Sequence, residues 1–83
     1  MAYTVYILRC SDNTLYTGIT KDLEKRLIEH NTSEKGAKYT RNRRPVSIVY
    51  SETSEDRSSA SKREYVIKKM RRKQKLLLIE KQQ

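Results

Sequence analysis

Apolar and polar positions alternate in two short runs near the start of the chain. In residues 3–10 and 15–20, successive side chains fall on opposite faces of an extended backbone. The turn-forming residues Ser11, Asp12 and Asn13 separate the two runs. This pattern predicts a β-hairpin. Because apolar residues occur on both faces of the strands, helices are expected to cover both sides of the sheet.

Helical spacing replaces the alternation after the hairpin. Thr20 is a candidate N-cap for a helix over residues 21–31, and Asp22 is favourably placed in its first turn. Leu23 and Leu27 lie four residues apart and form the predicted buried stripe. A first helix is therefore expected to pack on one face of the hairpin.

The middle of the chain is predicted to be a loop followed by a strand. Residues 33–44 are polar and basic, with one helical turn expected at residues 37–40, and Pro45 ends the segment. Residues 46–51 contain three β-branched apolar residues together with a tyrosine, which indicates a third strand.

Two further helices are predicted after this strand. Thr53 is a candidate cap, with Asp56 three residues later, for a helix over residues 54–70. The apolar stripe of that helix consists of Ala60, Ile67 and Met70. Residues 76–79 are all apolar and are expected to form a short terminal helix that packs back on the sheet. The predicted fold class is α+β: a three-stranded antiparallel sheet flanked by helices, in the order β-β-α-β-α-α.

Length and composition narrow the classes of protein that fit. A chain of 83 residues is expected to form one domain, residues 1–83, with a small core. The single cysteine, Cys10, excludes an intramolecular disulfide and a four-cysteine zinc site, and favours a reducing, cytoplasmic setting. No apolar run approaches the roughly 20 residues of a membrane span, so no membrane partner is expected.

A net charge of +9 indicates a polyanionic partner. Residues 35–44 contain five cations and no acid, and residues 62–75 contain eight cations and one acid. Two basic stretches that converge in the fold form a surface suited to the phosphates of a nucleic acid. Tyr39 and Thr40 lie in the first stretch, in a loop that is expected to contact phosphates. Tyr39 is also a candidate for stacking on an unpaired base. The candidate nucleic-acid-binding residues are Lys38, Tyr39, Arg41, Arg43, Arg44, Lys62, Arg63 and Lys68.

Five residues combine into a candidate catalytic site. Strand alternation places Tyr6 and Tyr16 on one face of the hairpin, and Arg26 and His30 are four apart on one side of the first helix. Glu64 is the only acid in the second basic stretch and lies at the margin of its helix's apolar stripe. It is expected to point inward at a positive group.

Together these residues resemble the GIY-YIG nuclease domain. The resemblance is carried by Tyr6 between Val5 and Ile7, by the run Tyr16-Thr17-Gly18, by Arg26 with His30-Asn31 after it, and by Glu64. It covers residues 3–79 and is closest to the small stand-alone bacterial members. The chain departs from the family in lacking the first glycine, in carrying a threonine in place of the usual isoleucine in the second motif, and in having no asparagine after Glu64.

The resemblance implies a metal-dependent endonuclease that hydrolyses DNA phosphodiester bonds, on branched, flapped or single-stranded substrates in repair or recombination. Glu64 is then the ligand of Mg²⁺ or Mn²⁺, and Arg26 binds the scissile phosphate. Tyr16, with Tyr6 beside it, positions or deprotonates the attacking water. His30 is the competing base, because its ordinary pKa is near neutrality. We favour Tyr16.

Two other functions are compatible with the sequence. One is a nucleic-acid-binding module with a degenerate nuclease site, which the missing asparagine and the missing second domain favour. The other is a basic interaction domain that docks on an acidic protein. In either nucleic-acid role, a separate protein partner is expected to supply target recognition, and the sequence does not distinguish DNA from RNA.

Overall fold

Three antiparallel strands and four helices make up the part of the chain that the computed structural model describes, residues 2–32 and 35–82. The elements are β1 (Tyr3–Arg9), β2 (Leu15–Thr20), α1 (Leu23–Thr32), α2 (Lys38–Arg41), β3 (Ser47–Ser54), α3 (Arg57–Lys69) and α4 (Arg72–Gln82). The predicted α+β class is confirmed. The helical turn expected in the basic loop is present as α2, which gives the order β-β-α-α-β-α-α.

The sheet has the order β2-β1-β3, so that the first strand lies in the centre. Tyr6 pairs with Gly18 in one direction and with Ser51 in the other. The register with β3 shifts between Ile7 and Leu8, which pair with Tyr50 and Ile48 respectively, and this leaves Val49 as a bulge. Because of the bulge, Tyr50 shares a face with Ile7 while Ile48 shares the opposite face with Leu8.

Both faces of the sheet are covered, as the pattern of apolar residues predicted. On one face, a cluster of buried side chains joins the sheet to α3 and α4; its members are Val5, Ile7, Tyr50, Ala60, Ile67 and Ile79. On the other face, Tyr6 and Leu8 pack with Leu23 and Leu27 of α1. Full burial of one aliphatic side chain stabilises the fold by roughly 1.5–3 kcal/mol, so the two small clusters together hold the layers in place.

The first helix is capped by Asp22 and not by the predicted Thr20. The Asp22 Oδ1 atom accepts a hydrogen bond from the Lys25 backbone N–H at 3.1 Å, as an N-cap side chain does. The Thr20 hydroxyl oxygen instead accepts from the Asp22 N–H at 3.2 Å. The helix therefore begins at Leu23, two residues later than predicted.

The third helix also begins later than predicted, and with a different cap. The third strand continues to Ser54, where the prediction ended it at residue 51, and this places Thr53 in the sheet opposite Thr4. The Asp56 Oδ1 atom accepts from the Ser59 N–H at 2.8 Å and starts the helix. Thr53 therefore does not act as the cap.

The terminal helix is longer than predicted and only partly buried. It runs over Arg72–Gln82, where the sequence predicted residues 76–79. Ile79 is buried against the sheet and Leu78 is partly buried, whereas Leu77 is 50% exposed. Over the described ranges 2–32 and 35–82, no helix has the length and apolar character needed to cross a membrane.

Candidate functional site

The centre of the site is a buried pair, Tyr6 on the central strand and His30 on α1. The Tyr6 hydroxyl lies 2.9 Å from His30 Nε2, and both side chains are almost completely buried. Gly18, opposite Tyr6 on β2, provides the space for this contact, because a Cβ atom at position 18 would lie 2.5 Å from the tyrosine oxygen. The hairpin and the first helix thus meet at a tyrosine–histidine hydrogen bond.

His30 is neutral at physiological pH. Burial lowers its pKa to about 4, and the positive charges of Arg26 and Arg44 act in the same direction. Both ring nitrogens have hydrogen-bonding neighbours, since Nδ1 lies 2.9 Å from the Thr40 hydroxyl oxygen. With no exposed surface, the imidazole reaches the site through the side chains that it contacts, Tyr6 and Tyr16.

Tyr6 remains protonated at neutral pH. Burial raises the pKa of its hydroxyl to about 12, which the nearby Arg26 guanidinium partly opposes. Tyr16 and the carboxylate of Glu64 act on the same hydroxyl and raise its pKa further. Four of the predicted site residues therefore lie within electrostatic or hydrogen-bonding range of one atom, the Tyr6 oxygen, and Tyr16 also contacts His30.

Tyr16 belongs to a stack of rings on the surface side of His30. Its ring centroid lies 5.3 Å from that of His30 and 5.9 Å from that of Tyr39. The Tyr39 ring is nearly parallel to the Tyr16 ring, and the Arg43 guanidinium carbon lies 4.1 Å from its centroid. Tyr39, predicted to stack on an unpaired base, is thus already in contact with a ring and a cation and is 39% exposed.

Arg26 occupies the edge of the site. Its Nη1 atom donates to the Lys35 carbonyl at 2.7 Å and to the Glu29 carboxylate at 3.2 Å. These bonds fix the guanidinium beside Tyr6 while about a quarter of the side chain, 26%, stays exposed. An arginine held in this way presents its remaining N–H groups to an anion.

Glu64 is a partly exposed carboxylate whose Oε2 atom lies 3.4 Å from Lys68 Nζ, one helical turn further on. Among the residues that the structure describes, no group of three or more His, Cys, Asp or Glu side chains is arranged to hold a metal ion. A metal held by Glu64 would therefore have fewer than three such protein ligands among the described residues. That donor set suits Mg²⁺ or Mn²⁺, which bind oxygen and retain several waters, and does not suit zinc.

The predicted phosphate-contacting arginines are largely engaged within the fold. Arg43 donates to Asp12 Oδ2 at 3.0 Å, and Arg44 donates to the His30 carbonyl at 2.6 Å. Arg63 forms an ion pair with Glu52 at 2.9 Å. By contrast, the predicted nucleic-acid-binding residues that are exposed are Lys38, Tyr39, Arg41, Lys62 and Lys68.

Thr40 differs most from its predicted place. It was expected in a phosphate-contacting loop, but it is fully buried and its hydroxyl faces His30. Two further residues support the site: Asn31, which follows His30 in its motif, and Gly36, which lies outside the motifs. The Asn31 side-chain amide exchanges two hydrogen bonds with the Val46 backbone, and Gly36 allows the loop to pass so close to α1 that a Cβ would lie 2.7 Å from the Glu29 carbonyl oxygen. The one feature of the sequence that could have indicated this close approach is the glycine at position 36, one of only two glycines in the chain.

Comparison with known protein families gives a match over most of the chain. The family model described as the GIY-YIG catalytic domain matches residues 2–77. Among curated proteins, UPF0213 protein SSP2268 of Staphylococcus saprophyticus is 55% identical over 75 residues, which is 90% of each chain. UPF0213 protein DP2720 of Desulfotalea psychrophila is 62% identical over 69 residues, and the match spans 83% of this chain and 63% of that relative's length.

Two solved structures have the same fold. The solution NMR structure of UPF0213 protein BH0048 from Bacillus halodurans superposes with a TM-score of 0.62 at 40% identity, covering 96% of this chain and 84% of that one. The solution NMR structure of protein EF2693 from E. faecalis gives a TM-score of 0.62 at 47% identity, with 90% and 79% coverage.

Proposed function

This chain belongs to the GIY-YIG catalytic domain family, and from that membership we propose that it is a divalent-metal-dependent endonuclease that hydrolyses DNA phosphodiester bonds. One observation supports the proposal more than any other. The Tyr6 hydroxyl lies 2.9 Å from His30 and within the fields of Arg26, Tyr16 and Glu64. These residues come from one central strand, one edge strand and two helices, and phosphoryl transfer uses each of their chemical types.

The chemistry requires a positioned water, a group that takes its proton and a cation at the scissile phosphate. Arg26 binds the phosphate with the N–H groups that face the solvent. Tyr16 positions the water and relays its proton: as the water oxygen bonds to phosphorus and the bond to the leaving oxygen breaks, the phenol oxygen accepts a proton from the water and passes its own to the solvent. The leaving oxygen takes a proton from the solvent. One product then carries a phosphate monoester and the other a hydroxyl group.

Tyr6 and His30 have a supporting role in this scheme. A phenol with its pKa raised to about 12 does not act as the base at neutral pH. Tyr6 instead donates a hydrogen bond to His30 and keeps its oxygen directed at Arg26. His30, neutral and buried, acts through that hydroxyl and through its ring contact with Tyr16.

Glu64 would hold the divalent cation. The negative charge of its carboxylate is close enough to raise the pKa of the Tyr6 hydroxyl. The Glu64 side chain remains 22% exposed. When bound, Mg²⁺ or Mn²⁺ supplies a positive charge that offsets the negative charge developing on the phosphate. Lys68, which pairs with Glu64 in the resting structure, would then turn toward the solvent or the DNA backbone.

The substrate we propose is DNA with branched, flapped or single-stranded regions, in repair or recombination. The half-exposed ring of Tyr39 beside Tyr16 supports contact with an unpaired base. The charge of +9 supports binding along the phosphate backbone. A partner protein would add target recognition, and the free thiol of Cys10 is consistent with a cytoplasmic setting.

A nucleic-acid-binding module with an inactive site is the second candidate. It is favoured by the ion pairs that two site residues already form, Glu64 with Lys68 at 3.4 Å and Arg26 with Glu29 at 3.2 Å. A carboxylate and a guanidinium that remained in these pairs would be structural groups and would not engage a metal or a phosphate.

A cleavage panel separates the two functions. Labelled junction, flap, duplex and single-stranded DNA, with matching RNA, are incubated with the protein in Mg²⁺, in Mn²⁺ and in a chelator. We expect metal-dependent cleavage by the unaltered protein, no cleavage by Glu64→Gln and unchanged cleavage by the control Glu80→Gln on exposed α4. Glu64→Gln should still fold and bind DNA. Binding without cleavage by every variant would establish the module.

A further inference from the structure

Thr40 joins the basic loop to the buried pair Tyr6 and His30. It belongs to the four-residue helix α2, is 0% exposed, and its hydroxyl oxygen lies 2.9 Å from His30 Nδ1. The same hydroxyl lies 2.9 Å from the Ala37 carbonyl oxygen, to which it donates. A buried threonine whose oxygen meets both a carbonyl and an imidazole has a fixed role in the hydrogen-bonding pattern.

That pattern determines which nitrogen of His30 carries the proton. A hydroxyl has one proton to donate, and Thr40 gives it to the Ala37 carbonyl. Its oxygen therefore accepts from His30, so Nδ1 carries the ring hydrogen and Nε2 is left with a lone pair. The Ala37 N–H also points at Nδ1, from 3.4 Å, and that contact would need a lone pair on Nδ1. The 2.9 Å contact with Thr40 is the shorter of the two, so we give it the greater weight.

The other end of the imidazole agrees with this assignment. Tyr6 lies 2.9 Å from Nε2, and the Arg26 guanidinium, which can only donate, lies beside the same phenolic oxygen. With its oxygen facing a donor, Tyr6 has its own proton free for Nε2. The direction of donation is then Tyr6 to His30, His30 to Thr40, and Thr40 to the Ala37 carbonyl.

We propose that Thr40 is a positioning residue that holds His30 as the Nδ1-protonated tautomer, so that Nε2 accepts the Tyr6 proton and keeps the Tyr6 oxygen directed at the site. The effect on cleavage rests on the proposed nuclease function, but the tautomer is a property of the protein without substrate. Thr40 itself touches neither water nor phosphate in this scheme.

The test is ¹⁵N NMR of the imidazole, which is unambiguous because His30 is the only histidine in the chain. Protonated and unprotonated ring nitrogens resonate in well-separated ranges. We expect a protonated Nδ1 and an unprotonated Nε2 in the unaltered protein and in Thr40→Ser, which keeps the hydroxyl. Thr40→Val keeps the shape and removes the acceptor, so Nε2 should become partly or fully protonated. The exposed control Thr53→Val on β3 should match the unaltered protein.

A protonated Nε2 in the unaltered protein overturns the proposal, as does an unchanged tautomer in a folded Thr40→Val. If Thr40→Val does not fold, the spectra of the unaltered protein and of Thr40→Ser still decide. On a substrate that is cleaved, kcat should fall on the order of 10-fold in Thr40→Val with KM unchanged, and Thr40→Ser should restore it. If no substrate is cleaved, the nuclease function fails while the spectra still decide the role of Thr40.

Discussion

Among single residues, Gly18 makes room for the buried side chain of Tyr6. We predict that Gly18→Ala displaces Tyr6 from His30, because the added Cβ would lie 2.5 Å from the Tyr6 oxygen and 2.7 Å from Cζ. Tyr6 is only 1% exposed, so a displaced ring has to push into its neighbours. The expected cost in unfolding free energy, measured by urea denaturation, is about 1–3 kcal/mol, typical of overpacking, together with a loss of cleavage.

A double-mutant cycle with Tyr6→Phe tests the cause of that loss. Removing the hydroxyl relieves the closest of the contacts that an alanine at position 18 would make, so the alanine should cost less in the phenylalanine background. Equal costs in the two backgrounds would show that Gly18 serves the backbone of β2 and not Tyr6.

His30 makes the stability of the protein depend on pH. The imidazole has its pKa lowered to about 4 in the folded chain, and an unfolded histidine titrates near 6.5. The unfolded state therefore binds the proton first. The contribution is fully present above about pH 6.5 and is lost as pH falls toward 4, to a total of roughly 3 kcal/mol.

Comparison of the unaltered protein with His30→Gln isolates this contribution. Urea unfolding followed by circular dichroism at several pH values gives both curves, and the carboxylates that titrate near pH 4 contribute equally to each. The difference between the two free energies should shrink by roughly 3 kcal/mol from pH 7 to pH 4. A constant difference would mean that His30 is protonated equally easily in both states.

Residue types and spacing indicated which residues the structure brings together in the candidate site, but they could not predict the buried support of these residues. Tyr6, Tyr16, Arg26, His30 and Glu64 follow from strand alternation, helical spacing and the family motifs. Thr40 could not be predicted in this way, because a threonine in a polar, basic loop is ordinarily exposed to solvent. Its burial depends on Gly36 letting the loop approach α1, which is a contact between backbones.

At the level of elements, the strands and helices were predicted correctly in kind and order, and the errors lie at their ends. Both candidate threonine caps were wrong, and in both cases an aspartate two or three residues later is the cap. Thr53 was lost to the sheet because β3 continues its pairing with β1 as far as Ser54. Pairing between distant strands is not visible in local sequence, and it decided where the helix begins.

The cap assignment gives a matched pair of variants. We predict that Asp56→Ala lowers the melting temperature by several degrees, because the Ser59 N–H loses its acceptor and a negative charge is lost from the positive end of α3. Thr53→Ala, at an exposed strand position, should change it much less. Thermal unfolding by circular dichroism measures both. A larger decrease in melting temperature for the Thr53 variant would show that Thr53 is the cap, as the sequence indicated.

For the whole molecule, the net charge is +9. Some of the cationic side chains are bonded to groups within the fold, and others are exposed and can contact a partner. Arg43, Arg44 and Arg63 hold the fold together, so they are poor choices for testing DNA contact. Lys38 and Lys62 are exposed and remain suitable. The basic surface is therefore predicted to act mainly through lysines, which track phosphates without reading sequence.

We predict a steep dependence of DNA affinity on salt. If about six phosphates are neutralised, log K should fall with log salt at a slope near −5, measured by fluorescence anisotropy. Lys38→Gln and Lys62→Gln should each reduce that slope by about one. Lys81→Gln, an exposed control in the last turn of α4, should leave it unchanged. Affinity that is insensitive to salt would favour an acidic protein as the partner.

The central position of β1 has a consequence for how the site fails. This strand is hydrogen-bonded along both edges and buried on both faces, so its amide hydrogens should exchange only when the whole sheet opens. Tyr6 therefore stays in place until the whole molecule unfolds. Thr40 lies on a helix of four residues, which can fray alone at a much lower free energy. Warming should then disengage the loop from His30, and lower the rate of cleavage, while the sheet that carries Tyr6 is still intact.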